Sequence, residues 1–148
     1  MAFLYISKNH KDGVLKNIDR QNYFGLGNSD LDRIDLYTFA VALGYHRGLH
    51  TDLEGGKESF IREENVMRNN IRHAFTAIYF ADHETESREN VETLVDSNVT
   101  FSLSDSYANA GFSIIQEYMS QYDNHGLCMK LLSEIDKMYE EYQGDYKQ

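Results

Sequence analysis

The segment Leu36–Tyr45 (LYTFAVALGY) contains one polar side chain, Thr38, and one residue with no side chain, Gly44. A helix drawn through it is apolar nearly all round, and such a helix has to be covered on every side. It is therefore expected at the centre of the fold, with the other elements packed round it. Gly44 leaves a gap in its surface that lets another helix come close. Ser29 or Asp30 is the expected cap, Asp30 and Asp32 suit the positive end of the helix dipole, and the helix runs to about Arg47.

The rest of the chain reads as striped helices joined by short connections. Met1–Ile6 (MAFLYI) is apolar and forms either a short strand or a tail tucked into the core. Ser7 caps a helix to about Gln21 with Val14, Leu15 and Ile18 inside. Gly13 weakens that helix, because glycine costs about 1 kcal/mol against alanine in a helix interior. Asn22–Asn28 is a loop, and Gly48–Lys57 (GLHTDLEGGK) is the main loop. Ser59–Arg62 is a brief strand or turn. Glu63–Asp82 is an amphipathic helix, with Met67, Ile71, Ala74, Phe75 and Ile78 at helical spacing. Glu89–Asn98 is a short helix. Thr100–Ser104 is a junction, with Ser102 and Asp105 as a capping pair. The next helix runs to about Gln121 with Leu103, Tyr107, Ala110, Gly111, Ile114 and Tyr118 inside. Its small cluster Ala108–Gly111 (ANAG) permits a close crossing. Asp123–Gly126 is a turn. The last helix, about Leu127–Gln143, turns Leu127, Leu131, Ile135, Met138, Tyr139 and Tyr142 inward and Glu134, Asp136, Glu140 and Glu141 outward.

These elements predict an all-α fold: one compact domain over residues 1–148, a bundle of about six helices with room for a short N-terminal strand. The last few residues are expected to fray. The single cysteine cannot form an internal disulfide. No apolar run reaches the length of a membrane span, and no basic-then-apolar leader opens the sequence. A cytoplasmic protein is the expectation.

The formal charge of −10 is unevenly divided. Residues 1–81 hold ten acidic and ten basic side chains, whereas residues 82–148 hold fourteen and four. A polarised chain of this kind steers basic partners and repels nucleic acid. The acids Glu134, Asp136, Glu140 and Glu141 are therefore the candidate partner-binding face. Arg62, Arg68 and Arg72 make the candidate nucleic-acid contact, with Arg68 and Arg72 four residues apart on one helix face.

Patterns for other chemistry break off early. His46 and His50 have the i, i+4 spacing of a metal-binding helix, but Gly48 falls between them and no glutamate follows His46. Asn28, Asp30 and Asp32 open like a calcium loop without its glycine and closing glutamate. Gly55-Gly56-Lys57-Glu58 lacks the earlier glycine and the hydroxyl residue of a phosphate loop. Cys128 lies in an apolar stripe and reads as packing. No catalytic residue, metal or cofactor is expected.

One arrangement is more specific. Leu36–Gly48 (LYTFAVALGYHRG) is followed by Phe60-Ile61-Arg62, by AFTAIYFAD at Ala74–Asp82, by Ser106–Phe112 (SYANAGF) and by a final helix. This order of blocks, over about residues 30–142, resembles small DNA phosphorothioation (Dnd) system-associated proteins of prokaryotic defence islands. The chain departs from that pattern in the acidic loop Thr51–Lys57, where basic residues are expected, and in the polar insert around Glu84–Asn90. The resemblance implies an accessory role in defence against foreign DNA and brings no catalytic residues with it.

The functional expectation is a non-enzymatic accessory protein that binds another protein, a defence-system component. The alternative is an acidic inhibitor or DNA mimic that blocks a nuclease. A third reading is a small DNA-contacting module. Homo-oligomerisation stays open. Gly44, Tyr107, Asn109 and Gly111 are assigned structural roles.

Overall fold

The computed structural model describes residues 3–16, 30–53, 56–68, 74–75, 77–79 and 97–146. Strand β1 (Phe3–Ser7) leads into a short α1 (Lys8–His10) and a π-helical turn, Lys11–Leu15. Helix α2 (Asp30–His46) is followed by strand β2 (Lys57–Arg62) and α3 (Glu63–Arg68). Two long helices complete the described chain, α4 (Ser97–Gln121) and α5 (Asn124–Tyr146). The domain is mostly helical, but it is not all-α, because β1 and β2 pair as an antiparallel sheet. Of the two readings of the N-terminal segment, the strand is the one adopted. Ser59–Arg62 belongs to its partner strand.

The sheet exists because both strands have apolar residues to bury and a neighbour to pair with. Leu4, Ile6 and Ile61 are buried, with Leu4 opposite Ile61. The register shifts between Leu4 and Tyr5, where Phe60 is the extra residue of β2. Lys57 lies 4.5 Å from the centre of the Tyr5 ring, and Lys11 pairs with Glu58. Ser7 caps α1 as expected, its hydroxyl accepting from the His10 amide. Beyond His10 the turn widens to a π-helix that contains Gly13 and puts both Val14 and Leu15 in the core.

Helix α2 is the centre. Ile34, Leu36, Tyr37, Ala40, Val41 and Leu43 are all buried. It crosses α4 at two glycines. A β-carbon on Gly44 would overlap the Tyr107 carbonyl, and one on Gly111 would overlap the backbone of Ala40. The close crossing expected of the ANAG cluster is therefore reciprocal, each helix supplying a glycine. Tyr37, Phe60, Phe75, Phe101 and Phe112 pack edge to face or tilted beneath the sheet, with ring centres 5.7–6.5 Å apart.

Three boundaries differ from expectation. Thr100–Ser104 is not a junction. Residues 97–121 form one continuous helix, and Thr100, Phe101 and Ser104 are buried within it. Hydroxyl residues read as punctuation in a sequence, yet inside a helix they can bond back to their own turn, as Ser106 Oγ does to the Ser102 carbonyl. Asp105 is no capping partner either; it is buried and accepts the Tyr5 amide. The expected turn Asp123–Gly126 is a helix start. Asp123 is the cap, taking the Gly126 amide on Oδ1 and the Leu127 amide on its carbonyl.

The expected loop Asn22–Asn28, the insert at Glu84–Asn90 and nearly all of the expected Glu89–Asn98 helix lie outside the described residues. The expected Glu63–Asp82 helix is described as α3 and as helical turns at 74–75 and 77–79.

Candidate functional site

The C-terminus of α2 sets the geometry of the site. Gly48 adopts φ +65°, Gly48 N–H bonds to the Tyr45 carbonyl, and Leu49 N–H bonds to the Gly44 carbonyl. This pair of bonds around a left-handed glycine is a Schellman cap. It ends the helix between His46 and His50, so the two imidazoles do not share a helix face. His46 Nε2 stands 3.4 Å from Glu141 on α5, while His50 packs on the edge of the Tyr107 ring. The loop beyond is held to α4 by Asn109, which donates to Thr51 Oγ1 at 2.8 Å and to the Asp52 carbonyl at 3.0 Å. The structural roles given to Gly44, Tyr107, Asn109 and Gly111 thus all fall at the α2–α4 contact and the loop that leaves it.

The same cap brings Arg47 against α4 and α5. Its Nη2 donates to Tyr118 Oη at 2.6 Å and to Glu134 Oε1 at 2.9 Å. Tyr118 donates to the same Glu134 oxygen at 2.9 Å. Lys130 Nζ lies 3.8 Å from that oxygen and over the Tyr118 ring. Burial pushes the Glu134 carboxyl up, but the bonds from Tyr118 and Arg47 and the charge of Arg47 outweigh it, and its pKa falls below the ordinary value. Glu134 is 4 % exposed. It is therefore not part of an outward acidic face, as the sequence suggested, but the polar lock that fixes α5 to α2 and α4.

That lock sets which way α5 faces. Residues on a helix are 100° apart, so with Leu127, Leu131 and Glu134 turned inward, Leu132, Ile135 and Tyr139 fall about 70–130° round from them, on one flank of α5. These three are 54 %, 44 % and 62 % exposed, and Met129 is 55 % exposed. The expectation that Ile135 and Tyr139 pack inside is overturned, because the Glu134 lock rotates them outward. Between α5 and α2 lies an open apolar groove of about 350 Å³, walled by Leu36 and Phe39 on one side and Cys128, Leu131, Leu132 and Ile135 on the other. Asp35 stands on its α2 bank and is exposed. Asp136 and Glu140 are exposed on α5. By helical geometry they flank the apolar stripe on the side away from Leu131.

Of the candidate nucleic-acid residues, Arg62 is the one whose side chain is described. Arg62 is exposed at the end of β2. Arg68 closes α3, but its side chain and the whole of Arg72 lie outside the described residues. Among the described residues no three His, Cys, Asp or Glu side chains converge as a metal site would require, and no helix is long and apolar enough to cross a membrane. The Arg47–Tyr118–Glu134 lock was missed by sequence reasoning. Its one available sign was the basic residue next to the glycine that ends the central helix.

Compared with family models, with curated proteins and with solved structures, the chain has no match.

Proposed function

We propose that this protein is a non-enzymatic accessory that works by binding another protein, with the outer side of α5 as its contact surface. The observation that carries this reading is the stripe Leu132, Ile135 and Tyr139, exposed beside Asp136 and Glu140 on a helix whose inner side is locked by Glu134. A contiguous apolar stripe with a polar margin is the usual make-up of a protein contact surface. The setting we assign, a prokaryotic system against foreign DNA, is supported by the order of sequence blocks over residues 30–142.

The test is affinity capture from the native host followed by mass spectrometry, run with the wild-type chain and with Leu132→Glu/Ile135→Glu. Both side chains are about half exposed and neither belongs to the buried core, so the variant should fold, which circular dichroism checks. A partner held by the wild type and lost by the variant supports the reading. Identical captured sets overturn it. Duplex DNA binding that weakens on Arg62→Ala moves the assignment to a DNA-contacting module.

A further inference from the structure

Resting on the protein-binding reading above, we infer that the partner supplies a basic amphipathic helix, which lies in the groove between α2 and α5. The groove is apolar along its floor, Asp35 lines its α2 side, and on α5 the exposed Asp136 follows Leu132 at the outer edge of the apolar stripe, with the exposed Glu140 one turn further along and behind it. Cys128, Leu132, Ile135 and Tyr139 follow one another at spacings of four, three and four. That is the spacing with which one helix presents a seam to another, and it extends over about three turns. A helix laid along it meets apolar floor with its i, i+3, i+4 and i+7 side chains and meets carboxylates with its flanks. Basic flanks are the ones that fit.

The two lysines of α5 are turned away from the seam. Lys130 is engaged with Tyr118 and Glu134. Lys137 follows Asp136 by a further 100° and stands on the far side of α5 from the seam. A second copy of this chain fits the groove poorly. Its own seam would bring Asp136 and Glu140 against the same acids in a molecule of net charge −10, and like charges facing each other disfavour a pairing. Nucleic acid is refused for the same reason, since the banks repel phosphates.

Cys128 makes the inference directly readable. It is the sole cysteine, it is free, and it lines the groove. The experiment uses the full chain and two synthetic cysteine-free helical peptides with leucines at i, i+3, i+4 and i+7. One carries Lys and Arg on its flanks, and the other carries Glu at those positions. Binding is followed by fluorescence anisotropy, and occupancy by the rate at which iodoacetamide alkylates Cys128. With the basic peptide at ten times its Kd, alkylation should slow about tenfold, in proportion to the free protein left. Leu132→Glu should weaken that peptide about tenfold or more, and Asp136→Lys/Glu140→Lys should weaken it while reducing its salt dependence. The acidic peptide should leave alkylation unchanged.

Equal protection by both peptides overturns the inference, as does binding indifferent to Leu132→Glu. Failure of the basic peptide to protect Cys128 overturns it too. So does a dimer in sedimentation equilibrium that shields Cys128 by itself. The outcomes separate the two levels of reading. If a captured host partner depends on Leu132 and Ile135 while the basic peptide fails, protein binding through α5 stands and the helix is wrong. If the captured set ignores those residues, both fall.

Discussion

Tyr37 donates its hydroxyl to Asp105 Oδ1 at 2.7 Å inside the core, and the same oxygen accepts the Tyr5 amide at 3.0 Å. One carboxylate oxygen thus joins α2, α4 and β1. Burial raises the Asp105 pKa to about 7, against the lowering effect of its two hydrogen bonds. It also raises that of Tyr37, which the neighbouring carboxylate raises further.

The pH dependence follows in sign. A folded-state pKa above the unfolded value means that the native protein holds the extra proton. The stability tied to Asp105 is then complete below about pH 4 and is lost as pH rises to about 7 and beyond. Asp105→Asn keeps an oxygen for both donors and removes the charge. In denaturant titrations it should flatten the decline between pH 4 and 7 and be the more stable form at pH 8, by up to about 4 kcal/mol. A parallel decline in both proteins would show that Asp105 is charged throughout.

Glu134 predicts the opposite slope. Its pKa is depressed, so its contribution is present above the ordinary carboxylate range and is lost as pH falls through the lowered value. Arg47→Ala should cost about 1–3 kcal/mol, the worth of a charge-assisted bond lost at a buried carboxylate. The acid midpoint of unfolding should move to higher pH. An unchanged midpoint would mean that Tyr118 alone holds Glu134.

Gly111 tests the helix crossing. A side chain there meets the Ala40 backbone, which has no rotamer with which to yield. Gly111→Ala should therefore destabilise by about 3 kcal/mol or more, at or above the upper end for overpacking. Gly126→Ala is the control. Its new β-carbon meets side-chain atoms of Asp123 and Tyr122 at 3.0–3.3 Å, and alanine favours the helix. Its thermal midpoint should stay close to that of the wild type.

Leu43 and Phe39, both large apolar residues of the central helix, differ in their cover. Leu43 is fully buried, whereas Phe39 is only partly buried and walls the open groove. Leu43→Ala should cost about 2–5 kcal/mol. Phe39→Ala should cost about 2 kcal/mol, less than a core phenylalanine, because part of its ring has no cover to lose. A Phe39→Ala loss of about 3–5 kcal/mol in thermal denaturation, the cost for a fully covered phenylalanine, would mean that the groove is closed in solution.

The central helix, its stop at Gly48 and its glycine-mediated crossing with α4 were legible because each depends on local composition. An all-round apolar run has nowhere to go but the middle, and the residues able to permit a close crossing are few. The rotation of α5 was not legible. Its apolar residues spread over a wide arc, with Leu127, Leu131 and Met138 at one edge and Leu132, Ile135 and Tyr139 towards the other, so periodicity alone does not select which edge is covered. The choice comes from Arg47, 87 residues away from Glu134. Asp105 was misread for a similar reason. Its partners are Tyr37 and Tyr5, and a carboxylate three residues after a serine looks the same in sequence whether it caps a helix or sits in the core.

The bond from the Tyr5 amide to Asp105 spans 100 residues. At ribosomal rates of about 5–20 residues per second, roughly 5–20 s separate the synthesis of its two ends. Through that interval β1 has neither its α4 acceptor nor the aromatic floor that Phe101 and Phe112 complete, and any hairpin it forms with β2 is a two-stranded one that is marginal in water. The nascent chain thus carries an apolar strand in waiting. A mostly helical domain would ordinarily fold from local contacts, but this one has to hold β1 for a partner made 100 residues later.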